Sequence, residues 1–192
     1  MKNILIINGH PDRESFNWAL AQAYKNAALG NNADIESINL IDLDFDPVLK
    51  YGYRRPHLLE PDLETAIQKM KEADHLVWVF PMWWYGVPAL VKGFIDRTFL
   101  PGITFKYQKG KLFPSKLLKG KTARIIVTAD TIGWYNRWVM KNPAINQFKK
   151  GVLEFCGVKP VKVTYLAPIK GSTKAQRKKW LLRIHKLGEG LK

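Results

Sequence analysis

Apolar residues run without alternation through Ile4-Leu5-Ile6-Ile7, and again within His75–Phe80 and Thr122–Thr128. Continuous runs of this kind mark strands buried on both faces, as in a parallel sheet. They predict strands over Lys2–Asn8, His75–Phe80 and Thr122–Thr128, with two more over Ile35–Leu40 and Val161–Leu166. The stretches between them carry helical spacing instead. Leu20, Ala23, Tyr24 and Ala27 share one face of a helix predicted from Phe16 to about Ala28, with Ser15 as its N-cap. Asp62–Glu72 is amphipathic. Val87–Leu100 stacks Val91, Ile95 and Phe99 at i, i+4 and i+8, with Pro88 suited to its first turn. Ala144–Phe155 is closed by Gly157, and Thr173–Leu187 forms a terminal helix. Asp42–Pro61 reads as a long loop, and Thr104–Lys119 as a basic, irregular segment.

Strands alternating with helices predict an α/β fold: a five-stranded parallel sheet with helices on both faces. No repeat, linker or low-complexity tract interrupts the pattern, so one domain over residues 1–192 is expected. The first apolar run is too short to span a bilayer, and no small-residue cleavage site follows it. The single cysteine, Cys156, excludes an intrachain disulfide framework or a multi-cysteine zinc site, and a reducing compartment is expected. Its place in Leu153-Glu154-Phe155-Cys156-Gly157 suits a buried residue at a helix end. The net charge of +15 favours anionic partners. Nucleic acid, an acidic membrane surface, an acidic protein and a dinucleotide all satisfy it. Helix-turn-helix, zinc and RNP patterns are absent, and the aromatics cluster after strands rather than beside basic runs, so nucleic acid is not expected.

In a sheet of order 2-1-3-4-5, ligands bind where loops leave the carboxyl ends of strands one, three and four. The first such loop is Asn8-Gly9-His10-Pro11-Asp12-Arg13-Glu14-Ser15-Phe16-Asn17. Its junction with a helix N-terminus can hold an anion, with donors from Ser15 and Asn17 and charge from His10 and Arg13; it is equally an ordinary capped strand-to-helix loop. It has neither G-x-G-x-x-G nor a Walker lysine. The second loop, Pro81-Met82-Trp83-Trp84-Tyr85-Gly86-Val87-Pro88-Ala89-Leu90, sets three adjacent aromatics after a buried strand. A pocket for a planar ring explains them, as does core packing or a dimer interface. The third, Thr128-Ala129-Asp130-Thr131-Ile132-Gly133-Trp134-Tyr135-Asn136-Arg137-Trp138, again mixes aromatics with hydrogen-bonding side chains.

The stretch Pro81-Met82-Trp83-Trp84-Tyr85-Gly86-Val87-Pro88-Ala89-Leu90-Val91-Lys92-Gly93-Phe94-Ile95-Asp96-Arg97-Thr98-Phe99 resembles the signature of the NAD(P)H:quinone oxidoreductases. That group includes the DT-diaphorase type and the ancillary proteins of potassium-efflux systems. His10–Asn17 resembles the family's first loop, and Leu118–Ala123 also matches. The resemblance implies a flavodoxin-like fold, a bound FMN or FAD, NADPH or NADH as co-substrate, and a cytoplasmic homodimer. It implies ping-pong transfer of hydride through the flavin to a quinone-like acceptor; a regulatory flavoprotein bound to a membrane transporter is the alternative. His10, Ser15, Phe16 and Asn17 would hold the flavin phosphate. Pro81, Met82, Trp83, Trp84 and Tyr85 would border the ring. Thr128, Ala129, Asp130 and Thr131 stand where the family has Thr-Thr-Gly-Gly, so both glycines are replaced. Tyr135 corresponds to the active-site tyrosine of larger members, but no histidine follows at the matching place. The larger FAD-binding members carry a C-terminal extension absent here, which favours FMN. The positive charge suits a reductase, because it would stabilise anionic reduced flavin and attract NADPH.

Overall fold

The computed structural model describes residues 1–31 and 33–191. Five parallel strands form the central sheet: β1 (Lys2–Asn8), β2 (Ala33–Asn39), β3 (His75–Pro81), β4 (Thr122–Thr128) and β5 (Val161–Leu166). Their order is β2-β1-β3-β4-β5, the 2-1-3-4-5 arrangement expected from the sequence. Register runs Ile4 to His75 and Asn8 to Val79 between β1 and β3, then His75 to Thr122 and Pro81 to Thr128 between β3 and β4. β3 lies at the centre, and every one of its seven residues is buried.

Alternate strand residues face opposite layers, so the core divides in two. Ile4, Ile6, Val77, Val79 and Ile126 meet α1 (Phe16–Leu29) and α5 (Lys174–Glu189) through Leu20, Tyr24 and Ile184. Leu5, Ile7, Trp78, Phe80 and Ile125 meet α2 (Pro61–Glu72), α3 (Ala89–Thr98) and the segment from α4 (Pro143–Asn146) through Met70, Phe94 and Phe148. Trp78 is fully buried and meets Phe148 edge to face at 4.8 Å. Such a pair adds about 0.5–1.5 kcal/mol beyond its area. α5 begins with a capping box, Thr173 with Gln176.

Three local expectations are revised. Pro88 is the N-cap of α3 rather than part of its first turn, because its ψ of 150° is extended. The Thr104–Lys119 segment contains a short antiparallel ladder, Phe105–Lys106 with Ser115–Lys116. The helix expected over Ala144–Phe155 starts as α4 and continues with wider π-type turns over Gln147–Glu154. Cys156 is buried, and burial raises its thiol pKa against the opposing pull of Thr104 and Lys116. Among the described residues, no helix is long and apolar enough to cross a membrane.

Candidate functional site

The loops leaving β1, β3 and β4 meet at the carboxyl edge of the sheet. At the end of β1, Asn8 is buried and its Nδ2 has no hydrogen-bond partner among the described residues. Gly9 follows because α3 passes too close for a side chain: an added Cβ would lie 2.2 Å from Val91 Cγ2. The chain then turns on paired local bonds. The backbone N–H of Asp12 donates to His10 Nδ1 at 3.0 Å, and that of Glu14 donates to Asp12 Oδ1 at 2.8 Å. A His10 nitrogen that accepts cannot carry a proton there. Burial also lowers the His10 pKa, with Asp12 opposing, so His10 is neutral at pH 7. The positive charge expected of this loop therefore comes from Arg13 alone, which pairs with Asp42 at 2.5 Å.

Ser15 caps α1, its Oγ accepting from the Trp18 N–H at 3.2 Å. Helical geometry leaves the N–H groups of Phe16 and Asn17 without intrahelical acceptors, and the positive end of the helix dipole adds to them. The Phe16 ring turns towards α5, 6.0 Å from Trp180.

Pro81, which ends β3, and Met82 after it are buried, and the Met82 N–H donates to Thr128 O at 2.7 Å. Trp83 and Gly86 exchange backbone hydrogen bonds of 3.1 and 2.8 Å around Trp84 and Tyr85. Both central residues are left-handed, with φ of 50° and 57°. Turns of this hand favour Asn-Gly, and a bulky residue in the left-handed region costs roughly 1–2 kcal/mol. The strained turn exposes the Trp84 side chain completely and leaves Tyr85 half-buried.

Thr128 and Ala129 are buried at the end of β4. Asp130 and Thr131 each find a neighbour. Asp130 Oδ1 accepts the Lys170 N–H at 2.6 Å, and the Thr131 hydroxyl lies 3.4 Å from the Tyr85 hydroxyl. Tyr165 on β5 donates its hydroxyl to Thr131 O at 2.7 Å. Burial, with help from Tyr85 and Asp130, pushes its pKa up to about 12, so it stays a donor.

Three contacts tie these loops together. The His10 and Trp83 rings meet edge-on at 5.6 Å. The Asn17 amide donates to the Thr128 hydroxyl at 2.9 Å and accepts from it at 3.1 Å. Tyr85 meets Thr131. A cavity of about 390 Å³ opens between Met82, Trp83, Trp84, Tyr85, Asp130 and Thr131. Tyr135 lies outside that lining, in a π-type turn (Tyr135–Val139), with its ring 5.7 Å from Trp134. A second cavity, about 440 Å³, lies between α3, the short ladder and the segment after α4; its Lys92 and Asp96 neutralise one another at 2.6 Å. It is more apolar than the first, and none of the three strand-end loops lines it.

Sequence reasoning missed Tyr165 and Lys170, which secure the third loop, and Arg97. Arg97 is completely buried on α3 and bonds Asp46 O, Leu58 O and the Glu60 carboxylate. Burial works against the Glu60 carboxylate, but the Asp46 N–H and Arg97 outweigh it and hold its pKa low. A signal for Arg97 was present: it stands three residues after the buried Phe94, on the apolar face.

The family described as flavodoxin-like fold matches residues 2–187. A crystal structure of Smu.1420 from Streptococcus mutans superposes with a TM-score of 0.87 at 30% identity, covering 98% of this chain and 99% of that one. NAD(P)H dehydrogenase [quinone] 1 of Cavia porcellus is 27% identical over 184 residues, 82% of this chain. This chain spans 65% of that relative's length. An FMN-dependent NADH-azoreductase of Bacillus anthracis, solved with FMN, shares the fold with a TM-score of 0.79 at 20% identity, over 100% of this chain and 99% of its own.

Proposed function

The chain belongs to the flavodoxin-like fold family, and we propose that it is an FMN-dependent NAD(P)H oxidoreductase that reduces a quinone-like acceptor. The observation that carries this reading is the mutual bracing of three strand-end loops around an aromatic cavity beside a helix N-terminus. The relatives named for NAD(P)H:quinone and FMN chemistry support it.

The residues present suit a flavin. Asn8 offers a buried amide with an unused donor, and the first turn of α1 offers backbone N–H groups for a phosphate. Ser15, Phe16 and Asn17 would hold that phosphate, with His10 beside it as a neutral donor. Met82, Trp83, Trp84 and Tyr85 would border one side of the ring, and Thr128 to Thr131 the other. When bound, the flavin supplies two-electron transfer between nicotinamide and acceptor. The chain's own part is to place the ring against the aromatic turn and present hydroxyls of Tyr85 and Thr131 at its edge. The exposed Trp84, Trp134 and Trp138 give a second copy an apolar surface to cover, consistent with a homodimer. A cytoplasmic setting and a single domain belong to the same proposal.

The test is flavin affinity. Asn17→Ala breaks the link to Thr128 and removes a phosphate-side donor. It should raise the FMN dissociation constant about tenfold, and Ser15→Ala should raise it less. Fluorescence titration of FMN reads both; unchanged affinity in both variants would remove α1 from the site.

A further inference from the structure

The loop leaving β2 carries Lys50, Tyr51, Tyr53, Arg54, Arg55 and His57 close together in sequence. The Arg55 guanidinium lies 3.5 Å from the Tyr51 ring centroid, and the Tyr51 and His57 rings are 5.9 Å apart. Lys50, Tyr51, Arg55 and His57 line one side of an open cavity of about 610 Å³. Within it, His57 Nδ1 is buried and has no hydrogen-bond partner among the described residues.

The nearby carboxylates are already engaged. Asp46 pairs with Lys50 at 2.7 Å, and Glu60 pairs with Arg97 at 2.7 Å. Among the described residues, neither Arg54 nor Arg55 has a carboxylate within ion-pair distance. Arg54 and Arg55 are therefore left without a carboxylate partner. The loop is also anchored, because buried Arg97 donates to Leu58 O at 2.9 Å. An anchored site loses less ordering entropy when a ligand binds.

A guanidinium stacked on a tyrosine offers a flat cationic face for a nucleobase and a fork for a phosphate. The position suits one end of a long ligand. β2 neighbours β1, and the Arg13–Asp42 pair joins their loops. β3, with its aromatic turn, lies two strand spacings from β2, about 10 Å. That spacing separates the roots of the two loops and lies within the span of an extended dinucleotide.

We propose that Lys50, Tyr51, Arg55 and His57 form a subsite for the 2′-phosphoadenosine end of the reductant, so that NADPH is selected over NADH. This rests on the oxidoreductase reading above.

Calorimetric titration of the flavin-loaded protein with adenosine 2′,5′-bisphosphate, adenosine 5′-monophosphate and inorganic phosphate tests it. The bisphosphate should bind about tenfold more tightly than the monophosphate, the value of one charge-assisted contact. Arg55→Ala should abolish that difference and lower the NADPH-to-NADH ratio of kcat/KM by a similar factor, while Arg55→Lys keeps part of both. Arg55 is exposed, and an unchanged melting temperature in Arg55→Ala confirms that the fold survives. Equal affinity for the two nucleotides overturns the proposal, as does phosphate binding as tightly as the bisphosphate. So does an Arg55→Ala variant that discriminates like the parent. A protein that takes up no flavin yet shows the Arg55-dependent difference refutes the oxidoreductase reading and keeps the subsite. A flavin bleached equally by both nucleotides, regardless of Arg55, does the reverse.

Discussion

His75 opens β3 at the edge of the sheet opposite the proposed site. Its Nδ1 lies 2.6 Å from the Thr122 hydroxyl, while burial, then Lys2, Arg124 and Lys162, depress its pKa to about 4. In the unfolded chain the same imidazole titrates at its ordinary 6.5. Between those values the unfolded state binds the extra proton. Folding stability is therefore lost as pH falls from 6.5 through about 4, and is fully present above 6.5. Chemical denaturation at pH 7 and pH 4 should show the parent losing about 3 kcal/mol more than His75→Gln, which keeps a polar contact with Thr122 but does not titrate. Equal losses in the two proteins would place the imidazole in water instead. Single residues elsewhere show why a few features were readable from sequence. Ser15 caps α1 because its type and its distance from the apolar face announce it. The left-handed Trp84 and Tyr85 were not legible, since neither is a residue that favours that conformation.

At the scale of elements, the loop from β2 to α2 depends on one buried cation. Arg97 reaches across from α3 to hold Asp46, Leu58 and Glu60. Arg97→Leu would leave the Glu60 carboxylate without its ion pair and four hydrogen bonds unmade, a loss of about 3 kcal/mol. The loop should then become the first site of limited proteolysis; a variant as stable and as protease-resistant as the parent would show that the loop holds itself. The strands and most helices were legible because continuous apolar runs and helical spacing are local signals. α3 began later than expected because Pro88 is extended. The π-type turns after β4 and α4 carry no period that a sequence reveals. Arg97's role was hidden for a different reason: its partners lie 37 to 51 residues away along the chain.

Over the whole molecule, parallel β-α winding brings three loops, distant in sequence, to one sheet edge. That convergence was legible, because alternation implies a parallel sheet, and in the 2-1-3-4-5 order that the resemblance implies, the ligand loops leave the carboxyl ends of strands one, three and four. The bracing contacts, His10 on Trp83, Asn17 on Thr128 and Tyr85 on Thr131, were not, since each joins side chains whose approach depends on the finished fold. The net charge of +15 acts at this scale, favouring anionic ligands before any specific contact forms. Anaerobic absorbance spectroscopy of the purified protein tests the central claim most directly. A chain with the proposed site carries one flavin, whose visible absorbance bleaches on adding NADPH and returns with a quinone. A colourless protein that takes up neither FMN nor FAD would contradict it.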